Sequence, residues 1–254
     1  MGRPRILILG GTGEARLLAE ALAARGDCDV LLSLAGRTEK PAVQPVPIRV
    51  GGFGGALPLA DFLKTGGYGL LIDATHPFAE RISANAAFAA ETTGIAAIAL
   101  RRPEWQRLPG DRWRDVQSIP AAIDALGPSP RHVFLATGRQ GAHHAEAAPQ
   151  HHYLIRSVDP VEPPLANVAY ILDRGPFSLE SECALLKQHH IDVIIAKNSG
   201  GAATYAKIEA ARLLGIEVMM VVRAPAPMVT AVETTEAALA VIDHLFPPAM
   251  NRGV

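Results

Sequence analysis

The chain is short of cysteine, short of aromatics and almost without net charge. Cys28 and Cys183 are its two cysteines, and they follow no metal or redox spacing. A disulfide framework is therefore not expected, and a reducing cytoplasm is the natural compartment. The formal net charge is −1 over 254 residues, so no global field draws the protein to nucleic acid or to a membrane surface. Any anionic ligand must be held by local clusters of cations. No apolar run approaches the roughly 18 residues of a membrane span. The amino terminus lacks a signal-peptide pattern, because its apolar stretch is short and runs into glycines. Nine histidines are present, but no H-x3-H or paired-cysteine spacing appears. Adjacent residues such as His143-His144 and His151-His152 point in different directions, so they are read as surface histidines and no metal is expected. Tyr-x-x-x-Lys is missing as well: none of the four tyrosines has lysine four residues on, which disfavours a short-chain dehydrogenase.

What the chain does have is apolar content, 49%, enough for a substantial core. Short apolar runs alternate with helical patterns almost throughout. Strands are expected over 5–9, 29–33, 48–50, 70–73 and 96–100, with helices over 14–25, 57–65 and 79–93. The alternation restarts with strands over 132–135, 153–156, 169–172, 192–196 and 217–222, and helices over 120–126, 179–190, 204–214 and 235–245. The pattern predicts an α/β protein of two Rossmann-like lobes, with parallel sheets flanked by helices and a site in the cleft between them. The expected boundaries are a nucleotide-binding lobe over 1–102, a crossover over 103–119, and a substrate-binding lobe over 120–254. The crossover is polar and carries both tryptophans, Trp105 and Trp113.

Ligands of open parallel sheets gather beyond the carboxyl ends of the strands. The first strand ends in Gly10-Gly11-Thr12-Gly13-Glu14, a glycine turn leading into a helix. Glycines let the backbone approach a phosphate, and the helix start offers N–H groups and partial positive charge. The G-x-G-x-x-G motif is imperfect, with Arg16 at its third position. The second strand ends in Ser33 and Gly36-Arg37-Thr38, with no carboxylate before Glu39. An acid there favours NAD, whereas arginine suits the extra phosphate of NADP, so NADPH is the expected cofactor. The fourth strand ends in Asp73-Ala74-Thr75-His76-Pro77-Phe78-Ala79. Thr75 and His76 are candidates for capping the next helix or meeting a ligand, and His76 titrates where a proton donor is useful. In the second half, Arg139, Arg174, and Lys197-Asn198-Ser199 with Thr204 and Lys207 supply cations and hydroxyls for a carboxylate or phosphate.

These blocks, in this order and at these distances, resemble the precorrin-6A reductase family, along essentially the whole chain. The resemblance implies a cobalamin-pathway enzyme. Such an enzyme uses NADPH to reduce one double bond of the precorrin-6A macrocycle, giving precorrin-6B. The strand-end reading then makes Gly10, Gly11, Thr12, Gly13, Glu14, Ser33, Gly36, Arg37, Thr38 and Thr75 the candidate cofactor contacts. For an acidic tetrapyrrole the candidate contacts in this sequence are His76, Arg139, Arg174, Lys197, Asn198, Ser199, Thr204 and Lys207, with His76 the candidate proton donor. Neighbouring pathway enzymes are candidate partners. Two other readings are a different NAD(P)-dependent reductase and a non-catalytic dinucleotide sensor.

Overall fold

The computed structural model describes residues 3–36, 43–161, 165–166 and 168–247. The apolar runs become strands, and the glycines and short polar residues behind them become turns and caps. In chain order the elements open with β1 (Arg5–Leu9), α1 (Gly13–Arg25), β2 (Asp29–Leu34), β3 (Ile48–Val50), α2 (Ala56–Thr65), β4 (Leu70–Asp73), α3 (Glu80–Thr93) and β5 (Ala96–Leu100). Then come β6 (Arg112–Val116), α4 (Ile119–Asp124), β7 (His132–Ala136), α5 (Arg139–Ala142), β8 (His152–Ser157), β9 (Val168–Leu172), α6 (Leu179–Gln188), β10 (Val193–Lys197), α7 (Ala206–Leu214) and β11 (Glu217–Val221). The last are β12 (Thr230–Val232) and α8 (Thr235–Leu245).

The strands form two sheets, ordered β12-β5-β4-β1-β2-β3 and β6-β11-β10-β7-β8-β9. Every pairing is parallel. Both follow the doubly wound order, with the reversal at β1/β4 in one sheet and β7/β10 in the other. The α/β class read from the sequence is the class observed.

The sixth strand of each sheet comes from an unexpected part of the chain. β6 follows β5 in sequence but pairs with β11, and β12 follows β11 but pairs with β5. The compact units therefore divide at Pro103/Glu104 and again at Arg223/Ala224, with the segment after Arg223 returning to the first unit. This differs from the expected lobes of 1–102 and 120–254 with a plain crossover between them. The crossover contains a strand, and the carboxyl-terminal strand and helix complete the first unit. The reason is visible in the residues. β6 is an edge strand, RWRDV, with only Trp113 and Val116 buried, so it lacks the apolar run of a central strand. β12 is three residues long, and its role rests on pairing rather than composition.

Parallel strands covered on both faces send alternate side chains to opposite layers. Ile6 and Ile8 of β1 join Leu18 and Leu22 of α1 and Ala238 and Ile242 of α8. Leu7 and Leu9 join Leu59 and Leu63 of α2 and Ala86 and Ala89 of α3. In the second unit Phe134, Ile194 and Met220 pack with Leu186, Ile208 and both tryptophans. Among the described residues no helix is long and apolar enough to cross a membrane.

Ile242 has no exposed surface and sits in the α1 layer. Ile242→Ala should lower stability to urea by about 2–5 kcal/mol. A loss below about 1 kcal/mol would mean that the carboxyl-terminal helix is not an integral part of that core.

Candidate active site

The glycine turn of the first unit is fixed from three directions. Gly10 N–H donates to the Ser33 carbonyl at 2.9 Å, tying the turn to the end of β2. A Cβ on Gly10 would stand 2.5 Å from Leu32 Cδ1, so a larger residue there would have to push the Leu32 side chain aside. Thr12 is the N-cap of α1: its Oγ1 accepts from Ala15 N–H at 3.1 Å and donates to the Ala74 carbonyl at 2.8 Å. That second bond spans the β1/β4 reversal. Gly11 has φ of 116°, and a Cβ on Gly11 or Gly13 would meet no protein atom within 4 Å. The backbone N–H groups at the start of α1 thus border open space, which is what a pyrophosphate requires.

Glu14 is committed to Arg102, with Nη1 to Oε2 at 2.7 Å. Burial alone would raise its carboxyl, but the Arg102 hydrogen bond and charge outweigh this and hold it below the ordinary range. Its side chain braces the helix start, and its own backbone N–H also contributes to holding the carboxylate charged. Ser33 is nine-tenths buried at the end of β2. Gly36 has φ of 71° and sits against Val50. Arg37 and Thr38 lie outside the described residues.

At the end of β4, Asp73 organises the segment that carries Thr75 and His76. Its Oδ1 accepts from Thr75 N–H at 3.1 Å and from Thr75 Oγ1 at 2.6 Å. Its Oδ2 accepts from Arg101 at 2.7 Å, and Arg101 also donates to Ser83 Oγ at 2.9 Å. Thr75 is buried in this network and caps nothing: the N-cap of α3 is Ala79, which has no side-chain cap. His76 Nδ1 accepts from Phe78 N–H at 3.3 Å, which in the neutral ring assigns the proton to Nε2. Arg101 is legible in the sequence as a polar residue at a strand end, though with no role attached; Ser83 was not singled out. The available signal was an arginine directly after an apolar strand.

In the second unit the strand ends at the β7/β10 reversal carry Thr137, Gly138 and Arg139 on one side and Lys197, Asn198 and Ser199 on the other. Arg139 opens the four-residue α5, and Lys197 is the last residue of β10, both half-buried. Arg174 is exposed. Asn198 and Lys207 do not sit as loop-rim ligands. Asn198 Oδ1 accepts from Trp105 N–H at 2.8 Å, and its Nδ2 donates to Glu104 and to the Trp105 carbonyl. Lys207 is buried, donates to the Thr204 carbonyl, and lies 4.8 Å from the centre of the Trp105 ring. Thr204 Oγ1 turns back to the Gly201 carbonyl at 3.4 Å rather than capping α7. These three side chains hold the 198–205 loop from beneath, because a buried amide or ammonium must find partners in the protein.

A further charged cluster escaped the sequence reading. Arg156 at the end of β8 grips Glu182 of α6 with both terminal nitrogens, one at 3.0 Å, and its guanidinium lies 3.6 Å from the centre of the Phe177 ring. Both charged side chains are nine-tenths buried. Glu182 falls four residues before buried Leu186 on α6, and an acid on the apolar stripe was the readable signal. His151, read as a surface histidine, is buried against Tyr153. Burial, and then the charge of Arg131, depress its pKa. Among the described residues no group of three or more His, Cys, Asp or Glu is placed to hold a metal ion.

The family model described as "Precorrin-6x reductase CbiJ/CobK" matches residues 5–243. This chain belongs to the precorrin-6x reductase family. A precorrin-6A reductase from Sinorhizobium sp is 59% identical over 98% of this chain and 96% of its own length. One from Rhodobacter capsulatus is 47% identical over 88% of this chain and 89% of its own length. A solved structure titled "CobK precorrin-6A reductase" superposes with a TM-score of 0.91 at 44% identity, covering 99% of this chain and 100% of that one. The cobalt-precorrin-6A reductase of Salmonella typhimurium is more distant, at 28% identity over 96% of this chain and 97% of its own. Family membership thus extends along the whole α/β framework, including the exchanged strands.

Burial, followed by the facing Arg156 charge, brings the Lys207 ammonium down to about 7, with Glu182 acting in the opposite sense. An unfolded-chain lysine keeps its proton to about 10.4. Between those values the unfolded chain binds one more proton than the folded chain, so stability rises with pH there. The stability difference between the native protein and Lys207→Met should therefore grow in favour of the native chain by up to about 1.4 kcal/mol per unit between about pH 7.5 and about pH 9. Urea unfolding at both values measures it, and a constant difference would show that the buried amine titrates normally.

Proposed function

We propose that this protein reduces precorrin-6A to precorrin-6B with NADPH. The observation that carries the reading is the glycine turn at the β1/β4 reversal, open in front of Gly11 and Gly13 and locked behind by Thr12 and Ser33. Its chemistry fits a dinucleotide pyrophosphate. Full-length kinship with precorrin-6A reductases supports the choice of substrate. The metal-free ring is favoured, since 59% and 47% identity link the chain to relatives named for precorrin-6A, against 28% for the cobalt form.

The reduced nicotinamide supplies the hydride when bound. The protein's share is to hold, orient and protonate. The N–H groups that open α1 take the pyrophosphate. Thr75 is held in place by Asp73, and that carboxylate is itself held by Arg101. The sequence assigns Arg37 and Thr38 to the ribose phosphate. A tetrapyrrole acid carries several acetate and propionate groups, and a chain of near-zero net charge must meet them with local cations. Arg139, Arg174 and Lys197 serve that purpose with Ser199. Asn198, Thr204 and Lys207 keep the loop in shape. His76 is assigned the proton for the carbon beside the hydride acceptor: its Nδ1 accepts from Phe78 N–H in the neutral ring, and it donates from Nε2 as the imidazolium, in which Nδ1 carries its own hydrogen and that contact is released.

An anaerobic assay of the purified protein with precorrin-6A should show a chromophore change that depends on NADPH. Stoichiometric cofactor oxidation without that change would reject the substrate, and equal turnover with NADH would reject the cofactor preference. His76→Asn should lower kcat by about 10²–10⁴-fold while leaving the KM for NADPH within a few-fold. An unchanged kcat would remove the proton from His76.

A further inference from the structure

We propose that Arg49, on the edge strand β3, is a specificity-determining residue that receives the 2′-phosphate of the cofactor together with Ser33. The inference rests on the NADPH reading above and adds to it a cation on a different strand from the one the sequence pointed to.

The register of the sheet sets the two residues side by side, since Ser33 of β2 pairs with Arg49 of β3. Both stand near the carboxyl ends of their strands, and the Ser33 carbonyl receives the glycine turn's Gly10 N–H. The end of β2 is where the adenosine ribose lies in a doubly wound dinucleotide site. An acidic side chain there would repel a phosphate. Ser33 is instead neutral, nine-tenths buried, and 3.5 Å from Arg49 Nη1 through its Oγ.

The guanidinium of Arg49 is held in one orientation. Nη1 donates to the Gly51 carbonyl and Nη2 to the Gly52 carbonyl at 2.8 Å. Its central carbon lies 3.9 Å from the centre of the Phe53 ring, a stacking contact on one face of the plane. Every one of these partners is neutral. Among the described residues no carboxylate pairs with Arg49, whereas Arg101, Arg102 and Arg156 each have one. The result is a half-buried cation, without a carboxylate partner among the described residues, whose rotamer is already fixed, so little conformational entropy remains to be lost when an anion arrives. A guanidinium has five N–H groups, and these contacts use three, leaving donors for phosphate oxygens. Ser33 Oγ, an acceptor toward Arg49, keeps its own hydrogen to donate.

The test uses two small probes, 2′,5′-ADP and 5′-AMP, titrated calorimetrically into the native protein and into Arg49→Met, which keeps an unbranched stem over Phe53. Native protein should bind 2′,5′-ADP more tightly than 5′-AMP. Arg49→Met should weaken 2′,5′-ADP about ten- to hundredfold and leave 5′-AMP within about twofold. Arg49→Lys should fall between, because it restores the charge without the fork, and it stands in if the methionine variant fails to fold. Equal weakening of both probes would reduce Arg49 to a support for the Gly51–Gly52 loop and overturn the proposal. So would unchanged binding of both. If the native protein shows no preference for 2′,5′-ADP, the NADPH reading fails and takes this inference with it. A native preference that survives both substitutions overturns the inference alone.

Discussion

The Thr12 hydroxyl does two jobs that the first unit depends on. As acceptor it caps α1, and as donor it fastens the turn to the Ala74 carbonyl at the end of β4. β1 and β4 are neighbours whose connections leave in opposite directions, and the gap so created is where a doubly wound sheet binds its ligand. One side chain closes the back of that gap, and the glycines keep its front clear. The remaining contacts extend the same fixation outward. Gly10 ties the turn to Ser33, Asp73 ties Thr75 to Arg101, and Arg102 braces Glu14. A phosphate site made from backbone N–H groups gains from such rigidity, because dipoles already aimed need no reorganisation on binding.

The second unit solves a different problem with the same strand order. Its loop after β10 is supported by buried polar groups, Asn198 on the Glu104–Trp105 segment and Lys207 beneath Thr204. Beside them lies a paired Arg156 and Glu182 with no water-facing surface to speak of. Removing one member of a buried ion pair usually destabilises far more than the intact pair stabilises, so such clusters constrain geometry more than they add stability. Here they fix the loop and the Phe177 turn relative to the strand ends that carry Arg139 and Lys197.

Much of this framework was legible in the sequence, for reasons that also explain what was missed. Central parallel strands must be apolar on both faces, so β1, β4, β7 and β10 stand out as runs. Glycine turns behind them mark where the chain reverses. The edge strands β6 and β12 have one neighbour each and need no such run, so composition hid them. Residue types at the strand ends were readable, but their partners were not. Arg101 reaches Asp73 across 28 residues, Arg156 reaches Glu182 across 26, and Asn198 reaches Trp105 across 93. Local patterns carry no record of such pairings. That is why the sequence offers Asn198 and Lys207 as ligand contacts without showing that the fold also uses them as struts. It is also why Arg49 went unnoticed, the middle residue of a three-residue strand of no obvious distinction.

The exchange of sixth strands has a consequence for how the protein is made and inherited. β5 leaves the ribosome early, yet its outer neighbour β12 is translated more than a hundred residues later. Through most of synthesis the first sheet must present a bare edge, and the nascent chain has to avoid pairing it with something else. No single cut in the gene releases a complete first unit, because the continuous second unit, 104–223, separates its closing strand and helix from the rest. The second unit thus lies in the gene as an insertion that could be carried away whole, whereas the first survives its loss only if its two segments are rejoined.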